Sequence, residues 1–182
     1  VDYPRILGKA TSDMGYTVLH ITEYIDQWLK GGSYKFHKDV PMKVTYHDPC
    51  HLGRLSEPWF HWEGTHKKFG VLEPPKVYRR GDKGVYEPPR SVLNSIPGVK
   101  VVEMERIKDN SWCCGAGAGV DITFKDFALW TAQERIAEAE STGAEAIVTG
   151  CLACKALLNR AVKLQHIPMK VYDITEIMLK AI

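Results

Sequence analysis

The sequence predicts an α/β fold, with βαβ units around a small parallel sheet. Three observations carry that expectation. Short apolar runs alternate with longer segments of helical period, and glycines or polar clusters punctuate the joints. Each of three cysteine sites also falls directly after a predicted strand. In open parallel sheets functional turns gather at the carboxyl ends of the strands, so the three cysteine turns are expected along one edge.

The elements follow in order. Residues 18–25 (VLHITEYI) have the form of a strand running into a capped helix. Residues 43–46 alternate as a strand does, and His47-Asp48-Pro49-Cys50 breaks the run into a loop. A second strand is predicted over 99–104, ended by Asp109-Asn110-Ser111 ahead of Trp112-Cys113-Cys114-Gly115. Beyond the glycines of 115–119, residues 124–141 predict a helix with an apolar face of Phe127, Trp130, Ile136 and Ala139, stopping at Gly143. Residues 144–149 form a short apolar strand and Gly150 the turn. Cys151 to Cys154 then open a helix that continues through Leu157, Leu158 and Val162. A last strand is expected over 170–172, with Asp173 or Thr175 capping the closing helix through Leu179.

The segment 171–178 (VYDITEIM) reads like 18–25. The match predicts an internal repeat, with residues 1–35 the tail of an earlier copy and 36–182 one complete cysteine-rich unit. Gly31-Gly32-Ser33 would be the joint.

Composition narrows the function. A chain of 182 residues, 45% apolar and 25% charged, can bury a core. A net charge of +2 argues against a nucleic-acid binder held by phosphate contacts, although Lys and Arg are dense between Lys67 and Lys83. The apolar runs fall short of the roughly 20 residues that span a bilayer. The chain starts at Val1 with no basic, apolar leader, so the expected compartment is the reducing cytoplasm. Five cysteines cannot all pair as disulfides, and here they are expected to be thiolates acting as ligands or redox groups.

Cys151 and Cys154 sit at a predicted helix start, where orphan amides and the macrodipole favour anions. A pair of this spacing also suits a thioredoxin-like dithiol. The adjacent Cys113 and Cys114 discriminate further. Successive side chains of an extended segment point opposite ways, so both reach one centre only through a turned backbone or by touching different atoms of a large centre. The glycines behind them permit such a turn. Zinc takes four ligands, and so does an ordinary cubane cluster. With Cys50 the thiolates number five, so either one is a spare redox thiol or the centre accepts five.

Near these cysteines, His47 and His51 flank Cys50 and are able to ligate metal or move protons, although a histidine at a strand end more often satisfies a local carbonyl. Neither is counted as a ligand. Arg54 could screen charge or bind a carboxylate by its fork; the structural alternative is a salt bridge to Asp48 or Glu57. His51 and Arg54 stand as candidate catalytic residues. Residues 115–119 lack the spacing of a dinucleotide fingerprint.

The runs Tyr46-His47-Asp48-Pro49-Cys50-His51-Leu52-Gly53-Arg54, Trp112-Cys113-Cys114-Gly115-Ala116-Gly117 and Gly150-Cys151-Leu152-Ala153-Cys154 resemble the cysteine-rich CCG domain of heterodisulfide reductase catalytic subunits. The resemblance implies that Cys50, Cys113, Cys114, Cys151 and Cys154 bind one 4Fe-4S cluster, noncubane in the best-understood members. It implies an oxidoreductase component that reduces a disulfide or passes electrons within a larger anaerobic flavin and iron-sulfur assembly, with a membrane subunit as an available partner. The domain usually occurs twice per chain, in keeping with the repeat. The alternative of another class is a structural zinc scaffold.

Two departures stand out. Leu152 and Ala153 occupy a gap where a proline often follows the first cysteine. The 62 residues between Cys50 and Cys113 exceed the family's usual interval, the excess being an insertion at 56–88 with Trp59, His61, Trp62, His66, Lys67, Lys68, Arg79 and Arg80. Such an insertion is similar to the large iron-sulfur subunit that accompanies ATP-independent benzoyl-coenzyme A reductase. It is read either as a binding surface for an anionic cofactor or partner, or as a solvated loop.

Overall fold

A computed structural model of the chain describes residues 17–57 and 61–182. In chain order the regular elements are α1 (Ile21–Lys30), β1 (Met42–His47), β2 (Thr65–His66), β3 (Leu72–Glu73), α2 (Glu87–Asn94), β4 (Val99–Val102), α3 (Val120–Thr123), α4 (Lys125–Ser141), β5 (Ala146–Thr149), α5 (Leu152–Gln165), β6 (Lys170–Asp173) and α6 (Ile174–Lys180). The α/β expectation holds: β1, β4, β5 and β6 form one parallel sheet in the order β4-β1-β5-β6.

The period of two along each strand divides the core between the two faces. Val44 and Tyr46 of β1, with Ala146 and Val148 of β5, point toward α2 and α6, where they meet Val92, Leu93, Ile174 and Ile177. Ile147 points the other way, onto Ala132, Ile136, Leu158 and Ala161 of α4 and α5. Helices on both faces leave the sheet dry, which is why β5 reads as an unbroken apolar run buried at every position. In this strand order the chain leaves β1 and β5, which are neighbours, toward opposite sides. The crevice at their carboxyl ends is the topological switch point of the sheet.

Three expectations need correction. Residues 17–20 are not a strand; only the helical half of the 18–25 match is present, and the rest of the proposed repeat tail, 1–16, lies outside the described residues. What the two segments do share is a capping box, His20 with Glu23 and Asp173 with Glu176. In α4, Ile136 and Ala139 are buried as expected, but Phe127 and Trp130 are exposed, and the buried row is Ala128, Thr131, Ala132, Arg135, Ile136 and Ala139. The inner face is lined by small residues because α4 packs closely on α5. Finally, the β2-β3 hairpin lies within the 56–88 insertion, one reading of which is a solvated loop, and α2, which begins at the end of that insertion, is not among the expected elements.

Candidate functional site

Each cysteine turn is held by a different device. At the end of β1, Asp48 accepts a bidentate pair from Arg90 on α2, at 2.7 and 2.9 Å, and a third bond from the Lys108 amide at 2.8 Å. Arg90 also reaches Glu103, at 2.6 Å, and lies over the Tyr46 ring. One buried ion pair thus fixes the direction in which the chain leaves the sheet toward Cys50. The turn then closes through Gly53 N to Pro49 O and Leu55 N to Cys50 O.

Arg54 stitches that turn to the next. Its Nη1 donates to the carbonyls of Asp109 and Ser111, at 2.9 and 2.8 Å, just ahead of Cys113. It is therefore bonded to backbone carbonyls, neither to Asp48 nor to Glu57. Behind the cysteine pair, Gly115 has φ +86°, and a Cβ there would fall 2.4 Å from the Ala128 carbonyl oxygen. A side chain would clash with α4 as well as strain the turn. The turned backbone aims amides back at the sulfurs: Gly115 N at Cys113 Sγ, 3.3 Å, and Ala116 N at Cys114 Sγ, 3.5 Å.

The third turn uses a helix start. Cys151 is the N-cap of α5 and Cys154 lies in its first turn, with the amides of Ala153 and Cys154 near enough to favour the Cys151 thiolate. Leu152 takes the first helical position, the one that tolerates proline best.

These devices bring the five thiols together as one coupled set. The Cys114 and Cys154 sulfurs are 3.0 Å apart, and the electrostatics couple Cys50 to Cys113, Cys113 to Cys114 and Cys154 to Cys151. All five are free thiols. A low thiol pKa was expected at every position, and the electrostatics correct this. Hydrogen bonds from Cys114 and Cys50, with the Gly115 amide, hold Cys113 down to about 2. The thiols that donate rise in consequence, Cys114 to about 12 and Cys50 upward. Cys151 is held down to about 5 by the Cys154 thiol and the helix-start amides, and Cys154, between Cys114 and Cys151, is pushed up. Five coupled thiols cannot all ionise against one another's charge, so Cys113 and Cys151 take the charge while Cys50, Cys114 and Cys154 hold their protons.

Two histidines complete the surroundings. His47 is 1% exposed, and a ring nitrogen lies within 4.8 Å of the Cys114 and Cys154 sulfurs, which are themselves within that distance of each other. Its Nδ1 receives Nε–H of Arg135 at 3.1 Å, and burial together with the Arg135 charge lowers its pKa to about 3. Among the described residues nothing bonds its Nε2. His51 lines a cavity of about 430 Å³ beside Cys151, together with Leu19, His20, Pro49 and Leu52, and its Nδ1 is likewise buried without a partner among them. His20 spans to the Gly150 carbonyl at 3.2 Å, tying the start of α1 to the Cys151 turn.

Sequence reasoning missed Arg90, Arg135 and Glu138. The only signal for Arg135 was its phase, one residue before Ile136 on the buried row of α4. Among the described residues, no helix is long and apolar enough to cross a membrane. In the insertion, Trp59 lies outside the described residues; Trp62, His66 and Lys67 sit on or beside the exposed hairpin.

Residues 76–159 match the family model CCG, described as a cysteine-rich domain. The chain is 39% identical over 155 residues to a subunit of the dihydromethanophenazine:CoB–CoM heterodisulfide reductase from Methanosarcina acetivorans, covering 85% of this chain and 31% of that protein. It is 35% identical over 182 residues to the corresponding subunit from Methanosarcina mazei, covering 100% and 37%. A probable iron-sulfur-binding oxidoreductase, FadF, of Bacillus subtilis is 28% identical over 182 residues, covering 93% and 21%. The chain thus spans about a third of the length of the heterodisulfide reductase proteins it matches.

Proposed function

From the premise that this chain carries a CCG cysteine-rich domain, we propose that Cys50, Cys113, Cys114, Cys151 and Cys154 together hold one four-iron cluster at the switch point of the sheet. The chain then serves as the cluster-bearing part of a heterodisulfide-reductase-type iron-sulfur oxidoreductase. The single observation that carries this is the convergence of the five free thiols, with the Cys114 and Cys154 sulfurs 3.0 Å apart and each of the others electrostatically coupled to a neighbour in the set. The donor set suits such a centre: soft sulfur ligands gathered in a pocket walled on one side by the protein core. Bound there, the cluster would supply one-electron chemistry for disulfide reduction or electron transfer.

The residues of this chain supply position and dielectric. Asp48, Arg90 and Arg54 hold the first two turns in register, so the thiolates need not reorganise when charge arrives. The amides of Gly115, Ala116, Ala153 and Cys154 stabilise negative charge on the sulfurs. Cys154 and Cys114 are buried, while Cys151 opens toward the apolar cavity, so a sulfur-containing substrate would approach from the His51 side. His51 is the candidate to hold or move a proton there, whereas Arg54 is occupied in positioning the Cys113 turn. Partners would be further subunits of a flavin and iron-sulfur complex. The names of the relatives favour the heterodisulfide reductase type over the benzoyl-coenzyme A reductase type suggested by the insertion.

The test is iron, acid-labile sulfide and zinc per chain on protein purified without oxygen, with the visible spectrum. About four irons, matching sulfide and a brown colour are expected. Roughly one zinc and no colour would replace the cluster with a structural scaffold. Replacing Cys113 or Cys114 by Ser should each lose or convert the cluster, whereas a zinc site holding four thiolates would tolerate one of the two changes.

A further inference from the structure

We infer that His47 is a hydrogen-bond donor to the sulfur centre rather than one of its ligands, and that Arg135 is the positioning residue that makes it so. The inference rests on the cluster proposed above, but its first half concerns the protein alone.

On composition and distance His47 looks like a ligand. It is buried, and a ring nitrogen shares a sphere of 4.8 Å with two thiol sulfurs. Its hydrogen bonding excludes that role. An arginine has only donors and cannot be an acceptor in any protonation state found in proteins. Arg135 Nε points its hydrogen at His47 Nδ1, so Nδ1 must present its lone pair. The ring proton then belongs on Nε2, the nitrogen with no partner among the described residues, and a protonated nitrogen cannot coordinate iron or zinc. What it can do is donate to sulfur.

Arg135 is held so that it cannot turn away. Its Nη1 donates to the Arg106 carbonyl at 2.9 Å and to Glu138 at 2.8 Å, and its Nη2 to Ser111 Oγ at 3.2 Å. Arginine and glutamate are both almost fully buried, and Glu138 is further fixed by the Arg106 amide. A buried ion pair is often replaceable by apolar side chains at little or no cost in stability, so stability alone is a weak reason for this one. Its geometric effect is specific: it links the end of β1 to the loop before Cys113 and gives the imidazole one tautomer. The arrangement parallels the way outer-shell groups fix the tautomer of histidines around metals, with the sense reversed.

The consequence is on redox poise. The reduced state of a cluster carries more negative charge on its sulfurs than the oxidised state, so an N–H donor favours reduction and raises the potential. Removing the donor should leave the cluster bound and move its midpoint to a more negative value.

The experiment has two parts. Metal-free wild-type protein with ¹⁵N-labelled histidine is examined by long-range imidazole ¹⁵N–¹H correlation. His47 should show an unprotonated Nδ1 and a protonated Nε2; the opposite tautomer, or an imidazolium, overturns the inference without touching the cluster proposal. The protein purified without oxygen is then compared with His47→Leu and His47→Gln for iron, sulfide, midpoint potential and nitrogen hyperfine coupling. The expected result is weak nitrogen coupling in the wild type, wild-type iron content in both variants, a lowered potential in His47→Leu and partial recovery in His47→Gln, whose amide can donate. Strong nitrogen coupling in the wild type, with iron lost from both variants, would make His47 a ligand and overturn the inference. Should His47→Leu fail to fold, the wild-type tautomer and coupling still decide. A wild type that binds no iron sinks the cluster proposal and the donor role with it, leaving only the tautomer to be judged on the metal-free spectra.

Discussion

The thiol-bearing edge of the sheet and the inserted hairpin are neighbours along the chain and opposites in how they are held. At the edge, Asp48 and Arg90 form an ion pair whose side chains are 2% and 8% exposed, with every oxygen of the carboxylate used. In the hairpin, Lys67 and Glu73 form a pair of similar length, 3.1 Å, with side chains 55% and 67% exposed. The first pair was taken out of water to set the direction of a turn; the second stays in water and sets nothing. Identical chemistry therefore has different weight in the two regions, and the difference lies in what surrounds it.

Substitution of the first pair is expected to have the largest effect. Asp48→Ala leaves Arg90 buried with the half-exposed Glu103 as its charge partner and the Tyr86 carbonyl as its other acceptor, and removes the acceptor of the Lys108 amide as well. The loss should be about 3 to 5 kcal/mol, read as a lower urea midpoint with an unchanged slope. A loss of less than ~1 kcal/mol would mean that the turn before Cys50 is fixed by something else, and the contrast between the two regions would collapse.

Gly115→Ala sharpens the contrast from within the site. The residue would be placed at φ +86° with its Cβ against the Ala128 carbonyl. Strain of about 1 to 3 kcal/mol is expected, together with reduced iron uptake, because relieving the clash rotates the amides that face Cys113 and Cys114. The same change at Gly117, where a Cβ meets nothing within 4 Å, should alter neither thermal stability nor iron content. Equal effects at both positions would show that the loop is merely flexible and not shaped to the sulfurs.

The contrast also explains what the sequence made legible. Strands β1, β5 and β6 and the cysteine turns behind them were readable because period, glycine and cysteine spacing are local signals that agree with the tertiary arrangement. Helix α2 was not, since prolines in its first turn hide the helical signal although that is the place where a helix accepts them. The outward face of α4 misled for another reason: Phe127 and Trp130 look like core, but they pack in an exposed aromatic group with Trp112, and alanines fill the tight contact with α5 instead. Arg135 and Arg90 were invisible as site residues because a charged residue is expected on a surface, and only the fold reveals that each is aimed at a turn carrying a cysteine. The missing information is thus mostly which polar groups are buried, a property of the assembled sheet and not of any short segment.

The smallest effect is expected in the hairpin, and it is the one that tests the contrast from the other side. Glu73→Ala removes the exposed partner of Lys67, and the two-residue strands β2 and β3 retain their backbone pairing. Exposed pairs contribute 0 to about 1 kcal/mol, and no residue of this hairpin is buried. Stability by urea denaturation should change by less than ~0.5 kcal/mol, and iron content not at all. Two features make this a demanding expectation. The insertion is not detached, because Arg79 donates to the Leu55 carbonyl and the Gly81 amide to Glu57, so its far arm is bonded to the Cys50 turn. Gly84 also packs so closely on Gly53 that a Cβ would meet the Gly53 carbonyl. If Glu73→Ala nevertheless lowers iron content, the hairpin transmits strain through that arm to the first cysteine, and the insertion must be counted as part of the site rather than as an exposed appendage to it.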